Sequence, residues 1–222
     1  YQVDFLPKLK IECAVDNAAF DAALARIHDD MHPTKYLPAM EVAAELGARA
    51  VLSSIWTPKR EYAIEKFGQI CDLARQFGMT VDLEYVPIAS VNNLAGAVDV
   101  LRTANRSNAG LMIDVHHMHR ALDKPEALAG LPKEWFHFAH LCDAQGEIPT
   151  DRAEMTRILR EERLYVGEGG VPVAEILNTL PKMVYSIELP HLARAKEFGY
   201  AEHAFRCIES AKAYMAQKLV HK

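Results

Sequence analysis

The segment GLMIDVHHMHRA (110–121) gathers Asp114, His116, His117 and His119 directly after an apolar run. Carboxylates and imidazoles bind divalent cations, and they give and take protons near neutral pH, so this stretch is where chemistry is sought first. It does not stand alone. Three other ionisable residues close apolar runs in the same manner: Glu84 in VDLEY, His140 in FAHLCD and Glu188 in YSIEL. A single carboxylate in such a place commonly caps a helix or joins an ion pair, and a single buried histidine is commonly a hydrogen-bonded core residue. Four of them on four successive apolar runs point to a shared site. Three converging carboxylates repel one another without a cation. Two or three of them with a neutral imidazole form a hard-to-intermediate donor set, suited to Mn²⁺, Mg²⁺ or Co²⁺. His28, His32, His137, His203 and His221 lack this setting and read as surface or packing residues.

The elements that must position these residues alternate along the chain. Buried strands are expected at KIECAV (10–15), ARAVLSSIW (48–56), MTVDLEYV (79–86), GLMIDV (110–115), FHFAHLCD (136–143) and MVYSIEL (183–189). Most are apolar on both faces, the pattern of a parallel sheet covered by helices. Helical periodicity fills the intervals at 34–47, 61–78, 93–105, 150–162, 172–180 and 201–218. The first two of these helices stop at a glycine. Strand and helix in alternation define an α/β class with a parallel sheet, and no Pro/Gly/Ser-rich linker divides it, so 1–222 reads as one domain. Chemistry in such folds sits at the C-terminal ends of the strands, where all four residues fall. VGEGGVP (166–172) is set aside as a nucleotide loop, because it follows a charged helix rather than a strand and lacks G-x-G-x-x-G spacing.

Composition excludes several classes. Half of the 222 residues are apolar and the formal charge is −5, enough for a sizeable core and against a polyelectrolyte partner. No Lys/Arg-rich run interleaved with aromatics suggests nucleic acid. No apolar stretch reaches the ~20 residues of a membrane span. No signal peptide is visible, and the sequence begins at Tyr1 rather than Met. Cys13, Cys71, Cys142 and Cys207 are far apart and form no C-x-x-C pair, so neither disulfides nor a structural zinc cluster is expected, and a cytoplasmic setting follows.

The order Glu84, Asp114-x-x-His117, His140-x-x-Asp143, Glu188 on successive strands resembles the xylose isomerase-like (β/α)₈ barrels, the sugar phosphate isomerase/epimerase group. The resemblance covers about 35–218 and includes RLYVGEGGVPVAEILNTLP (163–181), a stretch similar to one in uncharacterised members. It implies a TIM-type barrel with Glu84, Asp114, His140 and Glu188 as metal ligands on the last four strands. The metal it implies is a divalent ion, Mn²⁺ first, with Mg²⁺, Co²⁺ or Zn²⁺ as alternatives. It also implies that His117 touches substrate, with Asp143 and Glu168 as weaker candidates for substrate contacts and a capping role as the alternative for each. His116 and His119 point elsewhere if the strand alternation continues, and need no catalytic role. Two departures stand out. Counting back from Glu188 gives six strands, so the first one or two of the barrel are not visible in this sequence. The epimerases also carry an arginine shortly after the ligand histidine, whereas 141–151 contains none and the first is Arg152.

Such a site suits removal of a proton from carbon next to a carbonyl, with the metal stabilising the enediolate that forms. Glu84 and Glu188 are the candidate bases. Return of the proton gives isomerisation or epimerisation of a sugar or polyol ketone. Departure of a β-hydroxyl instead gives a lyase, dehydrating an inosose- or dehydroshikimate-like ring ketone. A non-catalytic, partner-dependent barrel is the third reading, and a homo-oligomer is compatible with all three.

Overall fold

A computed structural model describes residues 25–220, which divide into two compact units, 25–113 with 134–137 and 114–133 with 138–220. Six strands and eight α-helices occur among the described residues.

In the first unit, β1 (Ala25–Ile27), β2 (Ala50–Ile55), β3 (Thr80–Glu84) and β4 (Ala109–Asp114) pair in chain order, every pair parallel. Val51 lies opposite Val81, and Glu84 opposite Met112. Parallel neighbours need crossovers, and α1 (Leu37–Glu45), α2 (Arg60–Arg75) and α3 (Leu94–Ala104) supply them. The α2 helix buries Ala63, Phe67, Ile70, Cys71 and Ala74, a spacing of three and four that makes one apolar stripe. Asn93 caps α3 by accepting from the Gly96 N–H at 2.9 Å, and Asn105 ends it in the left-handed region. Alternation along β3 puts Thr80, Asp82 and Glu84 on one face. There Asp82 accepts from Thr80 Oγ1 at 2.8 Å and pairs with His137 Nδ1 at 2.5 Å. Gly110 makes room for that pair: a Cβ at this position would meet Asp82 Oδ1 at 2.1 Å and His137 Nδ1 at 2.5 Å. Glu84 ends β3 and is buried.

The second unit begins with α4 (Val115–Arg120), followed by β5 (Phe138–Leu141), α5 (Arg152–Glu161), α6 (Val173–Thr179), β6 (Val184–Ile187), α7 (Leu192–Phe198) and α8 (Tyr200–Lys218). Here β5 and β6 are parallel, with His140 opposite Ser186 and Leu141 opposite Ile187. Helix α8 turns His203, Cys207, Ala211 and Met215 inward at intervals of four.

Most of the strands and helices expected from the sequence are present, within a few residues at their ends. The strand expected at 10–15 lies outside the described residues, as does Cys13. Strand β1 and helix α7 are additional to the expected elements, and at three and seven residues each is too short for periodicity to mark it. Helix α4 replaces the continued alternation expected past Asp114. Its cause is local: Asp114 Oδ1 accepts from the His116 N–H at 2.7 Å and lies 3.4 Å from that of His117, turning the strand directly into a helix. Cys71, Cys142 and Cys207 are buried free thiols. No helix among the described residues is long and apolar enough to cross a membrane.

Candidate functional site

Within the second unit, Asp114 and Glu188 converge on a buried arginine, Arg163, with His117 beside Asp114 and His140 beside Glu188. Asp114 divides its two oxygens between tasks. Oδ1 caps α4, while Oδ2 lies 2.7 Å from Arg163 Nη1 and 3.6 Å from His117 Nε2. Glu188 sits one residue past β6, its own N–H donating to the Leu141 carbonyl at 3.2 Å. That bond sets it beside the end of β5, and its Oε2 stands 3.4 Å from His140 Nδ1 and 3.0 Å from Arg163 Nη2. Asp114, His117 and Glu188 each offer a ligand atom, all within 4.8 Å of one another; Asp114, His116 and His117 form a second such group. Two carboxylates with an imidazole at that separation fit a divalent ion. His140 belongs to neither group, although it touches Glu188.

Arg163 was not among the residues singled out from the sequence. It follows α5, whose C-terminal carbonyl of Leu159 accepts its Nε–H at 3.0 Å. Its backbone is held by the Pro190 carbonyl at 3.0 Å, while neighbouring Leu164 and Asp143 exchange two hydrogen bonds at 2.8 and 2.9 Å. Arg163 thus reaches the two carboxylates from beyond the helix that follows β5. A signal was present. Arg163 stands before the apolar run Leu164, Tyr165 and Val166, of which Tyr165 and Val166 are buried.

Charge inside this cluster is set by burial and that guanidinium in opposition. Burial opposes ionisation of Glu188, but the Arg163 cation and then His140 outweigh it and hold the carboxyl well below its usual range. Burial dominates at Asp114 and pushes its carboxyl up, against the pull of Arg163. Glu188 keeps 33 % of its side chain exposed, whereas Asp114 keeps none. Glu188 is thus the less enclosed of the two side chains.

His116 and His119 are not flipped outward by strand alternation, because α4 has already begun. His116 is fully buried; burial, then the Arg163 cation, hold its pKa well below the ordinary value, so it is neutral. Its Nδ1 lies 3.5 Å from His117 Nδ1, and its Nε2 3.4 Å from Arg120 Nε. His119 is half-buried. Asp143 accepts backbone N–H groups from Ala144 at 2.8 Å and from Gly167, Gly169 and Val171, each at 3.0 Å. Its carboxylate is the post around which 166–171 winds. Gly169 is required there, since a Cβ would meet the Ala144 carbonyl oxygen at 2.1 Å. Glu168 pairs with Arg194 Nη1 at 2.7 Å and accepts from the Tyr165 N–H at 3.2 Å. Glu84 ends β3 in the first unit, at the strand end expected of it.

Comparison with known proteins agrees with this architecture. The family model described as xylose isomerase-like TIM barrel matches residues 32–210. Inosose isomerase of Bacillus subtilis (strain 168) is 23% identical over 163 residues, 69% of this chain and 56% of that protein. The chain thus spans about half the length of the curated relatives it matches. Among solved structures, the IolI protein with a bound zinc atom shares 18% identity at a TM-score of 0.76, over 97% of this chain and 87% of that one. A D-allulose 3-epimerase from Methylomonas sp., in complex with D-allulose, shares 16% at 0.62, over 84% and 68%. At these identities the structures establish the fold.

Proposed function

Since this chain belongs to the xylose isomerase-like TIM barrel family, we propose that it is a metal-dependent isomerase or epimerase of a sugar or polyol ketone. The observation that carries the reading is the sharing of one buried guanidinium by Asp114 and Glu188, with Glu188 still partly open. An arginine compensates one of two adjacent carboxylate charges, and the charge left over suits a divalent cation.

Asp114, His140 and Glu188 are the ligands assigned in this unit, and Glu84 is assigned as the fourth on its strand-end position. Mn²⁺ is the first ion to test, with Zn²⁺ beside it because the IolI structure carries zinc. A bound divalent ion would supply stabilisation of negative charge on the oxygen of a carbonyl. The protein's own groups do the rest. Arg163 keeps Glu188 ionised, so its carboxylate can accept a proton from the carbon next to that carbonyl. Glu84 is assigned to the opposite face of the substrate, where a second carboxylate returns the proton. His117 is assigned to a substrate oxygen. One family model runs through both compact units, which supports treating 1–222 as one domain.

An inosose is the first substrate to try, given the names of the relatives, and 3-ketoses the next. The chain, stripped of metal and reloaded with Mn²⁺ or Zn²⁺, would be incubated with each in D₂O. Deuterium on the carbon beside the carbonyl, together with an isomer or epimer of unchanged composition, is the expected result. Products that have lost water would convert the reading to a lyase on the same scaffold. No deuterium uptake with either ion would overturn both.

A further inference from the structure

Helix α4 carries two buried polar residues, His116 and Arg120, that the proposed reaction does not use. Arg120 is 4 % exposed, and its guanidinium is spread over three acceptors. Nη2 donates to the Gln145 carbonyl at 2.9 Å, Nη1 to that of Glu147, and Nε faces His116 Nε2 at 3.4 Å. These contacts fix proton positions, because each kind of nitrogen has a restricted role.

A guanidinium N–H only donates. His116 Nε2 must therefore present its lone pair to Arg120, and a neutral imidazole with its lone pair there carries its proton on Nδ1. That Nδ1 faces His117 Nδ1 at 3.5 Å. Two facing ring nitrogens attract only when one holds a proton and the other a lone pair. His117 Nδ1 is then the acceptor, and the proton of His117 sits on Nε2, the atom 3.6 Å from Asp114 Oδ2.

We infer that Arg120 and His116 are positioning residues that lock His117 in its Nε2–H form, as a hydrogen-bond donor toward Asp114 and a substrate oxygen. In this state His117 is neither a base nor a metal ligand through Nε2. The grouping of Asp114, His116 and His117 is a polar relay instead of a second metal site, since Arg120 occupies the lone pair of one histidine and each remaining lone pair faces a proton. The consequence for catalysis rests on the reaction proposed above; the proton positions rest on the contacts alone.

Ring-nitrogen NMR of the ¹⁵N-labelled chain separates protonated from bare nitrogens, and His117→Gln identifies the signals of His117. The wild-type protein should show His117 protonated at Nε2, both metal-free and with Zn²⁺ added. His116→Phe keeps a ring of similar size but removes both relay contacts, so His117 should become a mixture of tautomers. His116→Gln can accept from Arg120 and donate to His117, and should restore the Nε2–H form. If His116→Phe does not fold, Arg120→Met carries the same comparison, because methionine has no N–H to offer His116 Nε2.

Turnover in His116→Phe should fall about 10-fold or more with Zn²⁺ affinity unchanged, the size expected when an orienting partner is lost. A pure Nε2–H form in His116→Phe and in Arg120→Met would overturn the proposal. So would an Nδ1–H form in the wild type, or loss of the Nε2 proton when Zn²⁺ is added. The expected tautomers in a protein that exchanges no substrate proton would support the relay and overturn only the proposed reaction.

Discussion

Arg163 Nη1 lies 2.7 Å from Asp114 Oδ2, across 49 residues of sequence, with 2 % and 0 % of the two side chains exposed. Neither charge could be buried at this depth alone, because desolvation of an isolated ion costs far more than a folded protein's net stability. The same guanidinium reaches Glu188 through Nη2 at 3.0 Å. One arginine therefore faces both carboxylates, holding Glu188 ionised and opposing the effect of burial at Asp114, and the loop that delivers it is as much a part of the site as the strands are.

Removing that cation should be costly. Arg163→Met leaves two neighbouring carboxylates without their counter-charge, and breaking a buried pair from one side costs about 3–5 kcal/mol. For a chain of this size that corresponds to a fall in Tm on the order of 6–20 °C. Added Mn²⁺ or Zn²⁺ should raise the variant's Tm by more than it raises that of the wild type, since an ion can take over the compensation. Thermal melts with and without metal check both statements, and an unchanged Tm would contradict them.

His140 and His117 should separate cleanly when each is truncated. His140→Ala should bind metal about 10-fold more weakly or worse, since loss even of a ligand's supporting partner costs 10- to 100-fold. His117→Ala should keep its metal and turn over slowly. Titration with Zn²⁺ followed by calorimetry distinguishes them, and the opposite ranking of affinities would place His117 among the ligands.

Glu188→Gln should abolish exchange of the substrate proton with solvent even when metal is retained, because an amide cannot accept that proton at neutral pH. Glu84→Gln should abolish epimerisation, which needs a proton-carrying group on each face. Proton exchange measured in D₂O reads both. Wild-type exchange rates in both variants would remove both carboxylates from the role of base.

The His137–Asp82 pair makes stability depend on pH. The hydrogen bond to Asp82 raises the His137 pKa, with burial pulling less strongly the other way. A raised folded-state value means that the pair's contribution is complete below the unfolded pKa of about 6.5 and is lost as pH rises through the folded value. The urea midpoint of His137→Phe should therefore fall furthest below wild type near pH ~6, with the gap narrowing by pH ~9. A gap that widens with pH would show that the contact stabilises the neutral imidazole instead.

The strand ends at Glu84, Asp114, His140 and Glu188 were legible in the sequence because each interrupts an apolar run, and an ionisable group there has only the sheet's C-terminal edge to occupy. Alternation of apolar strands with helices of period 3.6 likewise specified the α/β class before any coordinates. Both signals are local, a matter of what a residue's immediate neighbours require. The rest was decided by contacts between distant segments. Arg163 enters the site only because the exchange of backbone hydrogen bonds between Asp143 and Leu164 folds the chain back after α5. Asp143 is a loop anchor because four N–H groups, one from the next residue and three from 24 to 28 residues further on, meet its carboxylate. His116 turns inward because the cap at Asp114 starts a helix where alternation would have sent the side chain out. Sequence periodicity records which residues are buried, whereas their partners are fixed only when the chain closes and each buried polar group must find its complement.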